Sequence, residues 1–172
     1  MNLNPISHID PLGFIFLLVA GFGWGRPVQI NPRNFNGKYS LSKAEALVAA
    51  AGPIMNFILA IIAMVIYYVI FRTTVAYTNS SPWQIALYYI ILINIALGIF
   101  NLIPIPPLDG SKILMHFLPT KARIWFHDNQ HYFYILFIIL WVSGLATTII
   151  MPAFKGVYTG LAWLVESIFN LF

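Results

Sequence analysis

Long apolar runs constrain this chain more than any other feature. Residues 44–71 and 83–103 are each long enough to cross a bilayer as a helix. Spanning takes about 17–25 apolar residues, because the hydrocarbon core is about 30 Å thick and a helix rises about 1.5 Å per residue. A third run of this kind is read at 132–151. Only 8% of the residues are charged and 60% are hydrophobic. A soluble domain carries roughly a quarter charged residues, so a water-facing surface could not be covered and lipid is the expected solvent. There are no cysteines, which excludes disulfides and thiolate metal sites. The net charge is +4, but no basic tract interleaved with aromatics marks a nucleic-acid surface.

The segments between these runs carry their own signals. Residues 11–24 are apolar but too short for a full span, which suits a tilted or re-entrant segment. Residues 25–43 are polar and basic. Within them Val28 and Ile30 alternate with Gln29 and Asn31, the period of a short strand, and Pro27 and Pro32 suit the ends of an edge strand. Ser42 and Glu45 have capping-box spacing, which predicts a helix start at Ser42. Along the first long run, Ala49, Gly52, Asn56, Ala60 and Ala63 make a stripe of small residues with one amide in it, and Pro53 should bend the helix. Residues 72–82 read as a loop and 104–110 as a helix break. Residues 152–172, with Lys155 and Glu166, read as an interfacial helix rather than a last span. The expected fold is an all-α polytopic membrane protein: a bundle of about four or five membrane segments, with a small β element at its cytoplasmic edge. Residues 1–172 should form a single membrane-embedded domain.

Charge placement suggests orientation. Arg26, Arg33, Lys38 and Lys43 lie in segment 25–43, and Lys112, Lys121 and Arg123 in segment 111–131. Two spans separate these segments, so both should lie on one side. The positive-inside bias makes that side cytoplasmic.

The chemistry concentrates at 101–110, NLIPIPPLDG. Its prolines open the backbone at the end of a span. Unpaired backbone at membrane depth survives only under protein cover or beside a wet cavity. Asp109 lies in this opened stretch, and an ionisable group at membrane depth marks a functional site by default. The alternative is a turn residue at the interface, with Gly110 supplying positive φ.

The run NLIPIPPLDG resembles the Asn…Pro-x-x-Asp-Gly signature of the site-2 protease family. Three further stretches match in that family's order. NPISHIDPLG resembles the Asn-Pro-x-x-His-x-Asp-Pro-x-Gly run of its compact bacterial and archaeal branch. GFGWGRPVQINPRNF resembles the same branch's Gly-Trp-Ala-Lys-Pro-Val-x-Val-Asn-Pro segment. AGPIMN matches its Ala-Gly-Pro-x-x-Asn helix. The resemblance runs from Asn4 to about Gly144. It implies that Asp109 is a zinc ligand, and that Asn101 and Asn56 position the substrate backbone or the tetrahedral intermediate. It also implies that an edge strand around Arg26, Val28, Gln29 and Ile30 holds unwound substrate by main-chain hydrogen bonds; a strand with only a structural role is the alternative.

The departure from the family is equally informative. Its other two zinc ligands belong to a His-Glu-x-x-His helix, and no such pattern occurs in these 172 residues. That helix puts both imidazoles on one face with a glutamate base beside them. The expectation is an N-terminally truncated metalloprotease, inactive on its own, whose zinc takes two ligands missing from this chain. His127 and His131 have zincin spacing, with Asp128 between them. Their position beside an apolar run favours an interfacial role over metal binding. His8 is a candidate to orient a metal ligand by hydrogen bonding, or to anchor a turn before Pro11 together with Asp10.

The expected activity is zinc-dependent hydrolysis of peptide bonds in transmembrane protein substrates within a bacterial or archaeal cell membrane. The expected partners are that substrate and the bilayer, with no nucleic acid; homo-oligomerisation stays open. A non-catalytic pseudoprotease or membrane-helix-binding scaffold is the alternative. A small transporter subunit is a third reading, disfavoured because the chain has no repeated halves.

Overall fold

The computed structural model describes residues 9–20, 25, 39–71 and 81–169. The chain forms two compact units, Met1–Tyr39 and Ser40–Phe172. In the first, helix α1 spans Pro11–Ala20. Asp10 starts it: its Oδ1 accepts from the Gly13 amide at 3.0 Å, and its carbonyl accepts from the Phe14 amide at 2.9 Å. Pro11 at the first helical position loses nothing there, since that N–H has no partner inside the helix. Ile9 and Gly25 form an isolated antiparallel bridge. Among the described residues there is no sheet, and the strand expected at 26–31 lies outside them.

The described elements of the second unit are all helices: α2 (Leu41–Phe71), α3 (Pro82–Leu102), α4 (Asp109–Phe117), α5 (Thr120–Asp128), α6 (Gln130–Val142) and α7 (Leu145–Phe169). Among the described residues α2, α3 and α7 are long and apolar enough to cross a membrane. The exposed surface agrees with that. Ile54, Ile58, Ile62, Ile66 and Ile70 recur at every fourth residue of α2, and all are exposed. A ridge of isoleucine facing outward is costly in water and neutral in hydrocarbon.

The opposite face of α2 packs. Ala49, Pro53, Ala60, Ala63, Met64 and Tyr67 are buried. Ala60, Ala63, Met64 and Tyr67 form the core with Ile91, Ile95 and Ile99 of α3 and Val165 of α7. Helices gain no hydrophobic advantage from leaving lipid for each other, so close contact between small residues is what holds them together. A Cβ at Gly98 would stand 2.8 Å from the Phe57 ring. The lack of a side chain there therefore sets how near α3 comes to α2.

Three boundaries differ from the expectations. First, α2 begins at Leu41, so Ser42 lies inside the helix rather than capping it. The Ser40 carbonyl accepts from the Ala44 amide at 3.0 Å, and the Ser42 hydroxyl bonds elsewhere. Secondly, the apolar run 132–151 is not one helix. It breaks at Gly144, whose φ is +75°. The Ser143 amide bonds the Ile139 carbonyl at 2.9 Å and the Gly144 amide bonds the Trp141 carbonyl at 3.1 Å, and a glycine in the left-handed region ends the helix cheaply. Thirdly, the segment read as an interfacial helix supplies most of α7, 25 residues long. Hydropathy alone hides this, because Lys155 and Glu166 dilute its apolar content while the turn at 143–144 is masked by apolar neighbours.

Candidate functional site

Asp109 is set by the way α3 ends. The helix stops at Leu102, and the Ile103 amide still reaches back to the Phe100 carbonyl at 3.1 Å. Prolines at 104, 106 and 107 have no N–H to extend it. The Leu108 amide bonds the Ile105 carbonyl at 3.0 Å, closing a turn. Helix α4 then starts at Asp109 rather than leaving it in a loop. The Ser111 hydroxyl and amide both donate to the Leu108 carbonyl, at 2.7 and 3.1 Å. A carboxylate in the first turn of a helix is favoured by the unpaired amides there.

Gly110 makes the turn back possible. A Cβ at this position would collide with the carbonyls of Leu102 and Ile103. The start of α4 therefore lies directly against the end of α3, next to Asn101 in the chain. Across the junction is α2: a Cβ at Gly52 would lie 3.6 Å from Asp109 Oδ2. Asn56 is one turn further along α2 on the face that Gly52 begins. The junction thus sets Asp109 against Gly52 of α2, with Asn56 one turn along α2 and Asn101 in the last turn of α3.

The two amides are half-buried. Among the described residues neither makes a side-chain hydrogen bond. Asn94, two turns before Asn101 on α3, shows the ordinary fate of such a group: its Nδ2 donates to the Ile90 carbonyl of its own helix at 2.8 Å. Unpaired amides in apolar surroundings are costly, and a main chain docking beside them would satisfy both. The Asp109 carboxylate has a partner, Lys112, whose Nζ lies 3.5 Å from Oδ1. Both side chains remain partly exposed, at 34% and 46%, so this pair holds the carboxylate only loosely.

Beyond Lys112 on the same face of α4 comes His116, whose Nδ1 is 3.3 Å from Ser42 Oγ in a hydrogen bond. This contact brings the start of α2 to the end of α4. The basic residues Lys43 and Lys112 therefore share one end of the bundle. Neither the pairing of Lys112 with Asp109 nor the Ser42–His116 pair was singled out by sequence reasoning. Their spacing of three and four residues along α4 was the available signal; the pairing across helices left none.

The other candidates lie elsewhere. His127 lies in the last turn of α5 and His131 in the first turn of α6, with Asn129 between the two helices. Both are exposed, and His127 Nδ1 is 3.7 Å from its neighbour Asp128. They do not share one helix face as zincin histidines must. His8, Arg26, Val28, Gln29 and Ile30 lie outside the described residues. Among the described residues no three His, Cys, Asp or Glu side chains converge. Catalytic zinc takes three protein ligands, so one carboxylate beside a lysine does not fit the metal unaided.

The profile of Peptidase family M50 matches residues 69–143, from the last residues of α2 through α6. A Bacillus subtilis protein provisionally named a zinc metalloprotease is 35% identical over 174 residues, covering 99% of this chain and 77% of that protein. The chain belongs to peptidase family M50, the site-2 proteases. A zinc metalloprotease of Methanocaldococcus jannaschii is 35% identical over 79 residues, 46% of this chain and 21% of that protein. A Streptococcus pneumoniae protein, also provisionally named a zinc metalloprotease, is 59% identical over 37 residues, 22% of this chain and 9% of that protein. No solved structure matches the chain significantly. Within family M50, the zinc-metalloprotease names of these relatives imply zinc. The M50 profile spans the whole opened junction on the α3 and α4 side, Asp109 included.

Proposed function

We propose that this chain contributes the substrate-positioning part of an intramembrane peptidase that cleaves transmembrane segments. The observation that carries the reading is the pair of half-buried, unpartnered amides at Asn56, one turn from the glycine that faces Asp109, and Asn101, in the last turn of the helix that precedes Asp109. A helical substrate cannot be hydrolysed until it unwinds, and an unwound backbone in lipid must find hydrogen bonds at once. Each asparagine offers one acceptor and two donor hydrogens to such a backbone. A preorganised donor of this kind is worth about 3 kcal/mol where negative charge develops. The segment around Val28 and Ile30 would pair with the rest of the substrate as an added strand.

In this reading Asp109 is one oxygen donor to zinc, which when bound supplies an activated water. The two imidazoles and the base of a His-Glu-x-x-His helix are not among these 172 residues, so the chain by itself should bind zinc weakly and hydrolyse little. In this reading the end of the bundle bearing Lys43 and segment 111–131 faces the cytoplasm. A reporter fused after Asn79 should then score on the far side, and a cytoplasmic score there would reverse the orientation.

A second reading follows from the Asp109–Lys112 pair. If lysine rather than metal holds the carboxylate in service, the chain binds transmembrane helices without cutting them. One experiment separates the two. The chain, joined at its N-terminus to a segment supplying a His-Glu-x-x-His helix, is reconstituted in liposomes with a single-span substrate, and photocrosslinkers are placed at Leu59 and Ile105, flanking the amides. Crosslinking together with cleavage that Asp109→Asn abolishes supports the peptidase. Crosslinking without cleavage, unchanged by added zinc, supports the binding scaffold. Absence of crosslinking at both positions rejects both.

A further inference from the structure

Helix α7 runs the depth of the bundle. Trp141, just before its start, packs against Phe100 near the end of α3, with ring centroids 5.4 Å apart. Phe169, its last residue, stacks on Tyr68 near the end of α2 at 4.7 Å. One side of the helix faces inward: Val165 is buried, and Ile150, Phe154, Val157, Tyr158 and Leu161 pack against the core formed with α2 and α3. On the other side Pro152, Gly156 and Gly160 recur at every fourth residue, all exposed. Among the described residues, a Cβ at Gly156 or Gly160 would have no neighbour within 4 Å. Glycine weakens a helix and gains nothing against lipid, whereas it lets another helix approach closely.

Lys155 flanks that row and is itself exposed. About 15 Å of helix separates it from the start of α7, the nearer end. That is more than the length of a lysine side chain, so the amine does not reach the interface by snorkelling. It makes no hydrogen bond or ion pair among the described residues. A lone cation at that depth is expensive in hydrocarbon and requires a partner of opposite charge. The chain's own acids do not supply one. Asp10, Asp109 and Asp128 lie outside the three candidate spans, Glu45 is near the start of α2, and Glu166 is in the last turn of α7. A second copy does not supply one either. Two copies inserted the same way are related by an axis along the membrane normal, which sets Lys155 against Lys155 at equal depth.

We propose that the outward face of α7 seats a transmembrane helix of a second protein, one that carries a carboxylate at mid-membrane depth. The carboxylate pairs with Lys155, and Gly156 and Gly160 let the two backbones come close enough for it to do so. The occupant follows from charge complementarity: an unpaired amine inside hydrocarbon selects an acid delivered at the same depth. This face looks away from α2 and α3, so a helix seated on it stands clear of Asn56 and Asn101. The occupant is therefore an accessory subunit rather than a substrate. The inference needs the membrane placement of the bundle and is independent of peptidase activity.

The test uses the full chain in phosphatidylcholine nanodiscs with two labelled single-span peptides of leucine and alanine, one with a central glutamate and one with glutamine there. Binding is read by energy transfer from a dye at the chain's N-terminus. The glutamate peptide should bind about tenfold more tightly, the strength of a polar contact between helices in model membranes. Lys155→Met should remove that difference, and Lys155→Glu should transfer the preference to a peptide with a central lysine. Gly156→Leu should weaken both peptides by holding the helices apart. Lys155 is exposed, so K155M leaves the packing of α7 intact. Equal binding of the two peptides by the intact chain would overturn the proposal, and so would a preference that survives K155M. Self-association of the chain that K155M abolishes would assign the face to a second copy. Loss of the preference when phosphatidylglycerol is added would assign Lys155 to a lipid phosphate. Either result would overturn the partner helix.

Discussion

Helix α2 meets different neighbours in its two halves. From Ala60 to Tyr67 its inner face is closed by Ile91 and Ile95 of α3 and Val165 of α7, and Ala60, Met64 and Tyr67 have no exposure at all. From Gly52 to Asn56 the same helix faces a carboxylate, an open glycine and an amide with no partner. The first half is held by small residues and dispersion contacts, the attractions available between helices in lipid. The second leaves polar capacity unused within membrane-spanning sequence, which costs stability unless something binds there. One half supplies rigidity, and the other is positioned by it.

This division can be broken at its most constrained point first. Gly110→Ala should destabilise by about 3 kcal/mol, the upper range for overpacking, because the new methyl group meets backbone carbonyls of Leu102 and Ile103 rather than movable side chains. Thermal unfolding in micelles would report it. A negligible shift would mean that α4 does not lie against the end of α3 as described. Next comes the closed half: Ala60→Leu should cost about 2 kcal/mol in the same assay, since Ala60 is fully buried at the α2–α3 contact.

How much of this was legible in sequence depends on the kind of signal. The spans of α2 and α3 were, because an apolar run of that length has few other solutions. The small-residue stripe on α2 also proved structural at Ala49, Ala60 and Ala63. The break at Gly144 was not legible, since a Ser-Gly pair inside an apolar run leaves mean hydropathy almost unchanged while a single positive φ redirects the chain. The position of Asp109 just after the proline break was legible, but its place at the head of a helix rather than in a turn depends on Gly110 fitting against Leu102. The Ser42–His116 contact joins residues with no sequence pattern between them. There the capping box misled, because its serine had a tertiary partner.

The asparagines test the open half directly. Asn56→Ala and Asn101→Ala remove groups that have no hydrogen bond within the described chain. Each should therefore leave unfolding stability unchanged or raise it, by no more than about 0.5 kcal/mol. Binding of a transmembrane substrate should weaken about tenfold for each, a difference of about 1.4 kcal/mol. Two titrations, one of denaturant and one of a labelled helix in nanodiscs, separate these effects. A stability loss as large as that of Ala60→Leu would make the amides part of the packing and erase the distinction between the halves.

Gly52→Ala should have the smallest effect, and its sign is the informative part. Replacing glycine by alanine inside a helix favours the helix by roughly 0.5–1 kcal/mol, because the glycine chain has more freedom to lose. At Gly52 the new methyl group would stand 3.6 Å from Asp109 Oδ2, an ordinary contact. Substitution should therefore stabilise the protein by a few tenths of a kcal/mol, whereas the same change at Gly98 must displace the Phe57 ring 2.8 Å away and should destabilise it. Paired unfolding curves for the two variants compare the open and the closed contacts of one helix with one chemical change. If Gly52→Ala also destabilised, Asp109 would be seated tightly against α2, and no room would remain at that carboxylate for a substrate or a metal to enter from that side.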